Sequence, residues 1–100
     1  MFAEDALTAD RFLDGRLTIL QPKDGYRAAM DPVLLAAAIP AKAGERALEL
    51  GCGAGVASLC LARRVPGLHV TGLEVQAAYA DLARRNAEAN GIALAASCCR

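Results

Sequence analysis

The chain has 100 residues, enough for one small domain that buries well under ~70% of the surface its unfolded form exposes. Hydrophobic residues make up 55% of it and charged residues 22%, which excludes a disordered chain and favours a soluble α/β or α-rich domain. Eleven basic and eleven acidic residues cancel, so net charge does not draw the chain to nucleic acid or to an anionic membrane.

The first residues, "MFAEDALTAD", carry acids where a secretory signal has a basic region followed by an apolar one. The longest uncharged stretch, residues 50–62, is too short for a bilayer, which takes ~20 apolar residues. We therefore expect a cytoplasmic protein with reduced thiols. No C-x-x-C pair occurs and His69 is the sole histidine, so no metal site is predicted. Cys60, Cys98 and Cys99 are predicted to be buried as small hydrophobic residues.

Residues 1–45 are predicted to form an extension ahead of the main fold. Within it, "RLTILQP" alternates apolar and polar residues, which predicts a strand that ends at Pro22. "KDG" then predicts a turn in which Gly25 supplies a permissive backbone. Asp31 suits a helix N-cap and is followed by a proline, so a short helix is expected over Pro32–Ile39.

Residues 46–100 show the pattern of a βαβαβ unit. "RALELG" predicts a buried strand and "GVASLCLARRV" a helix, while "LHVTGLE" and "IALAASCC" predict two further strands. The long helix between them, "VQAAYADLARRNAEANG", places Tyr79, Leu82 and Asn86 on one face. Such connections are right-handed and parallel, which predicts the strand order 3-2-1 of a Rossmann half. The expected fold class is therefore α/β, the amino-terminal half of a Rossmann-like fold preceded by the extension.

A glycine-rich segment, residues 51–55 and here called the glycine loop, joins the first of these strands to its helix. Gly51, Gly53 and Gly55 place bare backbone at the carboxyl end of a strand, where open α/β sheets bind ligands. A P-loop is excluded, because its G-x-x-x-x-G-K-[ST] pattern needs a lysine that does not follow here. The spacing also departs from the dinucleotide pattern G-x-G-x-x-G/A, whether it is counted from Gly51 or from Gly53.

Glu49 distinguishes between the remaining cofactors. A carboxylate two residues before the first glycine would repel an anionic pyrophosphate and attract a cation. S-adenosylmethionine carries a sulfonium and an α-ammonium group, so the sequence favours this cofactor. Glu74 follows about 20 residues after the loop at the end of the second strand, where an acidic residue takes ribose hydroxyls. The alternative is that both carboxylates are only charges at strand ends.

Several stretches resemble a known family. "ELGCGAG" and "GLE" resemble the cofactor-binding motifs of class I S-adenosylmethionine-dependent methyltransferases. "FLDGRLTILQPKDGYRAAMDPVLLAAA" and "ARRNAEANG" resemble the bacterial adenine methyltransferases that modify valine tRNA beside the anticodon. The resemblance covers residues 12–91. It implies an enzyme that transfers a methyl group from S-adenosylmethionine to the exocyclic amine of an adenine, with tRNA as its partner.

The predicted cofactor site follows from the loop and from the resemblance together. By resemblance, Arg27 and Asp31 help to close the site around the methionine end of the cofactor. The alternatives are a solvated turn residue for Arg27 and an N-cap alone for Asp31. Cys52 is expected to contribute only its backbone N–H. The predicted cofactor-binding residues are Arg27, Asp31, Glu49, Gly51, Cys52, Gly53, Gly55 and Glu74.

The resemblance also implies a catalytic N-P-P-Y motif after a fourth strand, and this sequence does not contain that motif. Residues 46–100 are therefore expected to be the cofactor-binding half of a longer methyltransferase domain, inactive without its remainder. Its first strand would lack an outer neighbour, and self-association through that open sheet edge is expected. Two alternatives remain: a methyltransferase acting on protein glutamine or another nucleic acid, and a non-catalytic binding or assembly module built on the half-fold.

Overall fold

The computed structural model describes residues 1–25 and 27–98, which form two small sheets and three helices. A 3-10 turn, Glu4–Ala6, precedes the first strand. In chain order the elements are β1 (Leu7–Phe12), β2 (Leu17–Pro22), α1 (Asp31–Ala38), β3 (Arg46–Leu50), α2 (Val56–Arg64), β4 (His69–Glu74), α3 (Ala77–Ala89) and β5 (Leu94–Cys98). No helix in the described part of the chain has the length and apolar character needed to cross a membrane.

β3, β4 and β5 form a parallel sheet with β4 in the centre. The register pairs Glu49 with Gly72 and Glu74 with Cys98, so both acidic residues lie near the carboxyl edge of this sheet. A helix joins each strand to the next. The order β5-β4-β3 confirms the predicted 3-2-1 arrangement, and with it the α/β class and the Rossmann-like half.

The extension contains a hairpin, whereas the sequence pattern predicted a single strand. β1 pairs antiparallel with β2 along the length of both strands. The turn between them places Asp14 and Gly15 at positive φ, 53° and 82°. Asp-Gly is a strong hairpin signal. Asp10 and Arg11 interrupt the apolar pattern of β1, which is why alternation alone does not reveal this strand.

Helix α1 begins and ends one residue earlier than predicted. Met30 is its N-cap, and Asp31 is already helical, so the N-cap assignment for Asp31 was wrong. The physical reason is that Met30 has helical dihedral angles and its carbonyl accepts the Leu34 N–H at 3.0 Å. Asp31 still lies in the first turn, where its negative charge suits the helix dipole. The helix ends at Ala38, and Ile39 is extended.

The core lies between the hairpin, the helices and the parallel sheet. Leu17 and Ile19 of β2 are fully buried in one cluster with Leu59 of α2. Leu82 of α3 is fully buried in another cluster, beneath the glycine loop, and Asn86 shares that buried face, as predicted.

β3 is more exposed than the buried strand that its apolar residues predicted. Leu48 and Leu50 are 60% and 73% exposed. Within residues 1–25 and 27–98, β3 pairs with β4 alone, and the face of β3 that carries both leucines is exposed.

The cysteines follow their predicted burial in one case. Cys60 is buried, and this burial raises the pKa of its thiol to about 11, so the thiol stays protonated. Cys98 is exposed at the end of β5, so the prediction of burial was wrong there, because β5 is an edge strand of the described sheet and only Ala96 of it is buried. Cys99 lies outside the described residues.

Candidate cofactor site

The glycine loop leaves β3 with all three of its glycines in the left-handed region. The φ angles of Gly51, Gly53 and Gly55 are 69°, 56° and 90°, values that residues with side chains rarely adopt. A Cβ at Gly51 or Gly53 would have no neighbour within 4 Å, so the backbone faces open space there. The Gly51 and Cys52 N–H groups both donate to the Leu73 carbonyl, at 2.7 and 3.1 Å. The loop is thus bare backbone anchored to β4.

Glu74 ends β4 and is buried beside this loop, at 7% exposure. Its Oε1 accepts the Gly53 N–H at 2.9 Å, and its Oε2 accepts the Gln76 N–H at 2.8 Å. These two bonds orient the carboxylate at the sheet edge. A carboxylate has about four acceptor positions, so both oxygens can also accept bonds from ligand hydroxyls.

Glu49 of β3 bonds to the first turn of α2. The N-cap of this helix is Gly55, which has no side chain to satisfy the first-turn N–H groups. Glu49 Oε1 instead accepts the Ser58 hydroxyl at 2.5 Å. Burial raises the pKa of Glu49, and hydrogen bonds from the hydroxyl and the N–H of Ser58 offset part of that rise.

A cavity of about 300 Å³ opens over the glycine loop, at the lower end of the roughly 300–1,000 Å³ found for small-molecule sites. Its walls come from the hairpin, the start of α1, the glycine loop and the first turns of α2 and α3. Both carboxylates reach it, so the polar part of its lining carries negative charge. The lining residues are Gln21, Ala28, Pro32, Glu49, Gly51, Cys52, Gly53, Ala54, Val56, Ala57, Glu74, Gln76 and Tyr79.

Five of the eight predicted cofactor-binding residues line this cavity: Glu49, Gly51, Cys52, Gly53 and Glu74. Gly55 lies behind the loop, where a Cβ would come within 3.3 Å of the Ala83 Cβ. The loop packs closely on α3 at Gly55, and the role of Gly55 toward a cofactor stays a prediction. Asp31 is not among the lining residues, although the adjacent Pro32 is. Its role toward a cofactor therefore stays a prediction.

Arg27 contacts the hairpin. Its Nη2 lies 3.0 Å from Asp10 Oδ2, and its Nη1 donates to Thr8 Oγ1 and to the Pro22 carbonyl at 2.8 and 2.9 Å. Burial alone would raise the pKa of Asp10, but hydrogen bonds from Gln21 and Thr8 and the charge of Arg27 outweigh it and lower the pKa. Arg27 thus braces the wall of the cavity, and a direct contact with a cofactor stays a prediction.

Sequence reasoning missed two residues that shape the site. Gln21 is 2% exposed, and it joins the hairpin to the cavity wall: Nε2 donates to Asp10 at 2.8 Å and Oε1 accepts the Ala28 N–H at 2.6 Å. A single glutamine in a strand carries no sequence signal for this role. Gly72 lies under the loop, where a Cβ would be 2.7 Å from Cys52 Sγ. A glycine inside a strand is a signal of close approach.

Both the fold and the sequence of this chain are similar to those of known proteins. The family described as "Methyltransferase small domain" matches residues 28–99. The release factor glutamine methyltransferase of Chlorobaculum tepidum is 36% identical over 83 residues, which are 81% of this chain and 28% of that protein. The tRNA1(Val) (adenine(37)-N6)-methyltransferase of a Flavobacteriaceae bacterium is 34% identical over 71 residues, 71% of this chain and 31% of that protein. The chain thus spans about a third or less of these relatives.

Solved methyltransferase structures share the fold of this chain. The 16S rRNA N2 G1207 methyltransferase of T. thermophilus, in complex with AdoMet and guanosine, has a TM-score of 0.69 and 25% identity, covering 91% of this chain and 26% of that one. The Pyrococcus abyssi tRNA (uracil-54, C5)-methyltransferase, in complex with S-adenosyl-L-homocysteine, has a TM-score of 0.73 and covers 95% of this chain and 24% of its own. At 21% identity that second likeness shows the fold alone. Because the family match spans more than half of the residues, this chain belongs to the methyltransferase small domain family of S-adenosylmethionine-dependent methyltransferases.

Proposed function

We propose that this chain is the cofactor-binding part of a methyltransferase and that S-adenosylmethionine binds in the cavity over the glycine loop. The observation that carries the proposal is the placement of two carboxylates, Glu49 and Glu74, beside the bare backbone of Gly51 and Gly53 in one cavity. In this proposal residues 46–100 hold the cofactor and residues 1–45 close over it.

The chemistry of the cavity suits this cofactor. Glu49 would attract the cationic methionine end, and Glu74 would accept the ribose hydroxyls. An NAD pyrophosphate is an anion, and the Glu49 carboxylate in a partly desolvated cavity would repel it. Bound S-adenosylmethionine supplies an electrophilic methyl group, and the residues described here bind and orient it. We assign no catalytic residue within the chain.

For the methyl acceptor we propose the exocyclic amine of an adenine in tRNA, in a cytoplasmic enzyme. The support is the likeness to a tRNA1(Val) (adenine(37)-N6)-methyltransferase, together with the resemblance of residues 12–91 to that family. The second candidate is a protein glutamine, which the likeness to a release factor glutamine methyltransferase favours. Both acceptors are planar nitrogen groups, so the same cofactor half serves either reaction.

Calorimetric titration of the chain with S-adenosylmethionine and with NAD tests the cofactor. We expect tighter binding of S-adenosylmethionine, and tighter binding of NAD would overturn the proposal. The acceptor is tested with the whole enzyme that contains this chain, by transfer of labelled methyl groups to bulk tRNA and to a peptide release factor. Labelling of tRNA adenine supports the first candidate, and labelling of the release factor alone replaces it with the second.

A further inference from the structure

Asn86 of α3 and Asn90, which follows the helix as its C-cap, bind the free edge of β2. Asn86 Oδ1 accepts the Leu20 N–H at 2.8 Å and its Nδ2 donates to the Leu20 carbonyl at 3.0 Å. Asn90, just after α3, makes the same pair of bonds to Thr18, at 2.9 and 2.8 Å. Each side-chain amide thus takes the place of a peptide group in a neighbouring strand.

The spacing of the two asparagines follows from helix and strand geometry. Four residues of α-helix rise by about 6 Å, and two residues of strand by about 6.6 Å. The distance from Asn86 to Asn90 along the helix therefore equals the distance from Leu20 to Thr18 along the strand, so that Asn86 reaches Leu20 and Asn90 reaches Thr18. These bonds satisfy an edge that would otherwise present unpaired backbone groups.

Asn86 also reaches the glycine loop. Its Nδ2 donates a second bond, at 2.9 Å, to the carbonyl of Ala54, which lies between two of the loop glycines. Asn86 is fully buried, so none of its bonds is replaced by solvent. The corresponding second bond of Asn90 goes to the Asn86 carbonyl, at 2.7 Å, within the same helix.

Asn86 joins two elements that line the cavity, the hairpin and the glycine loop. Ala54 is part of the loop wall, and Leu20 precedes Gln21, which lines the other wall and holds Ala28 beside it. We infer that Asn86 is a positioning residue that sets the separation of the hairpin wall from the glycine loop, and so the affinity for the cofactor. This inference rests on the proposed function for its cofactor but on the hydrogen bonds alone for the coupling of the two walls.

Asn86→Asp tests the inference, with Asn90→Asp as the matched control. Each substitution keeps the side-chain size and the acceptor, and replaces the donor with an oxygen that faces carbonyls. Both variants weaken the hold of α3 on β2, and Asn86→Asp alone breaks the bond to Ala54. We expect Asn86→Asp to weaken S-adenosylmethionine binding by roughly tenfold or more, and Asn90→Asp by less than about threefold. If Asn86→Asp fails to fold, Asn86→Ala removes the same donor without adding charge.

A second readout does not depend on the cofactor. Amide hydrogen exchange followed by NMR should show faster exchange at Gly55 and at Ala28 in the Asn86 variants, because both walls loosen together. In Asn90→Asp the loop amide should keep its wild-type rate. Equal exchange at Gly55 in the two variants would overturn the inference. Where the wild-type chain binds S-adenosylmethionine, an equal loss of affinity in the two variants would overturn it as well. A wild-type chain that does not bind S-adenosylmethionine would overturn the proposed function instead, and the exchange rates then decide the inference alone.

Discussion

Glu49 and Glu74 are both carboxylates at strand ends, but their surroundings give them different properties. Glu74 has both oxygens bound to backbone N–H groups, which suits a fixed acceptor for hydroxyls. Glu49 bonds to Ser58, and burial raises its pKa above the ordinary value of 4.5. A change of pH should therefore act on the site through Glu49.

The affinity for S-adenosylmethionine should fall as the pH is lowered, with a midpoint above 4.5. The protonated Glu49 is neutral and no longer attracts the cationic end of the cofactor. The sign for stability is the opposite: the folded chain holds this proton more tightly, so the contribution of Glu49 to the free energy of unfolding falls as the pH rises through that window. Titrations between about pH 4 and about pH 8, a range that includes the ordinary pKa of a glutamate, test both effects.

Glu49→Gln is the control for that titration. This variant should bind S-adenosylmethionine more weakly than the wild-type chain at neutral pH. Its affinity should show no midpoint with pH, because the amide does not titrate. A wild-type midpoint at or below 4.5, or an unchanged midpoint in Glu49→Gln, would contradict the assignment to Glu49.

Glu74→Ala should weaken cofactor binding by roughly 1.5–3 kcal/mol for each charge-assisted hydrogen bond that is lost. It should also lower the melting temperature, because the Gly53 N–H loses its acceptor. Glu74→Gln keeps one acceptor and separates the two effects. Calorimetry measures the affinity and thermal unfolding measures the melting temperature. An unchanged affinity in a folded Glu74→Ala variant would leave Glu74 with a structural role only.

At the scale of elements, close contacts between strand, loop and helix hold the site together. Gly72 of β4 lies against Cys52, and Arg64 of α2 donates to the carbonyls of Ala36 and Ile39 at the end of α1. The first contact seats the glycine loop on the sheet. The second ties the extension to the helix that follows the loop.

Gly72→Ala should destabilise the chain by about 1–3 kcal/mol, because its Cβ would lie 2.7 Å from Cys52 Sγ and 3.0 Å from Cys52 Cβ. Adding Cys52→Ala removes the sulfur and should recover part of that loss, since the nearer contact disappears. Urea unfolding of the two single variants and the double variant measures the coupling. Additive losses would show that the two side chains do not meet.

The hydrophobic periodicity of the sequence predicted the helices and the parallel strands, but it did not predict the contacts between these elements. The parallel strands, α2 and α3 follow from hydrophobic spacing, and the site edge follows from Gly51 and Gly53. Arg64, in the last turn of α2, donates to the Ala36 carbonyl of α1. Partners this far apart in the chain leave no local pattern, and the same holds for Gln21 and Asn86.

At the scale of the whole molecule, the open edge of β3 is the largest departure from a closed fold. In the described part of the chain the strand has one neighbour, β4. Leu48 and Leu50 are exposed, as are Leu34 and Leu35 of α1, at 59% and 52%. An exposed apolar strand edge favours pairing with another chain.

The chain should therefore self-associate, and Leu48→Lys should shift it toward monomer, because an edge lysine opposes strand pairing. Met30→Lys is the matched control: Met30 and Leu48 are both 60% exposed, and Met30 lies before α1 rather than on the edge. Sedimentation velocity over a concentration series measures the masses. A wild-type chain that stays monomeric with a sharp cooperative melt would contradict this prediction.

The pairing of β2 with α3 has a consequence for synthesis on the ribosome. Leu20 and Asn86 are 66 residues apart, and Thr18 and Asn90 are 72 apart. At about 5–20 residues per second, roughly 3–14 s pass between the emergence of the hairpin and that of its edge partner. The hairpin can form early from its own short-range contacts, but the backbone groups on the outer edge of β2 have no asparagine partner until α3 has been synthesised. The cavity is completed only when Asn86 leaves the exit tunnel, because this residue joins the hairpin to the glycine loop, so a nascent chain gains its binding site in one late step.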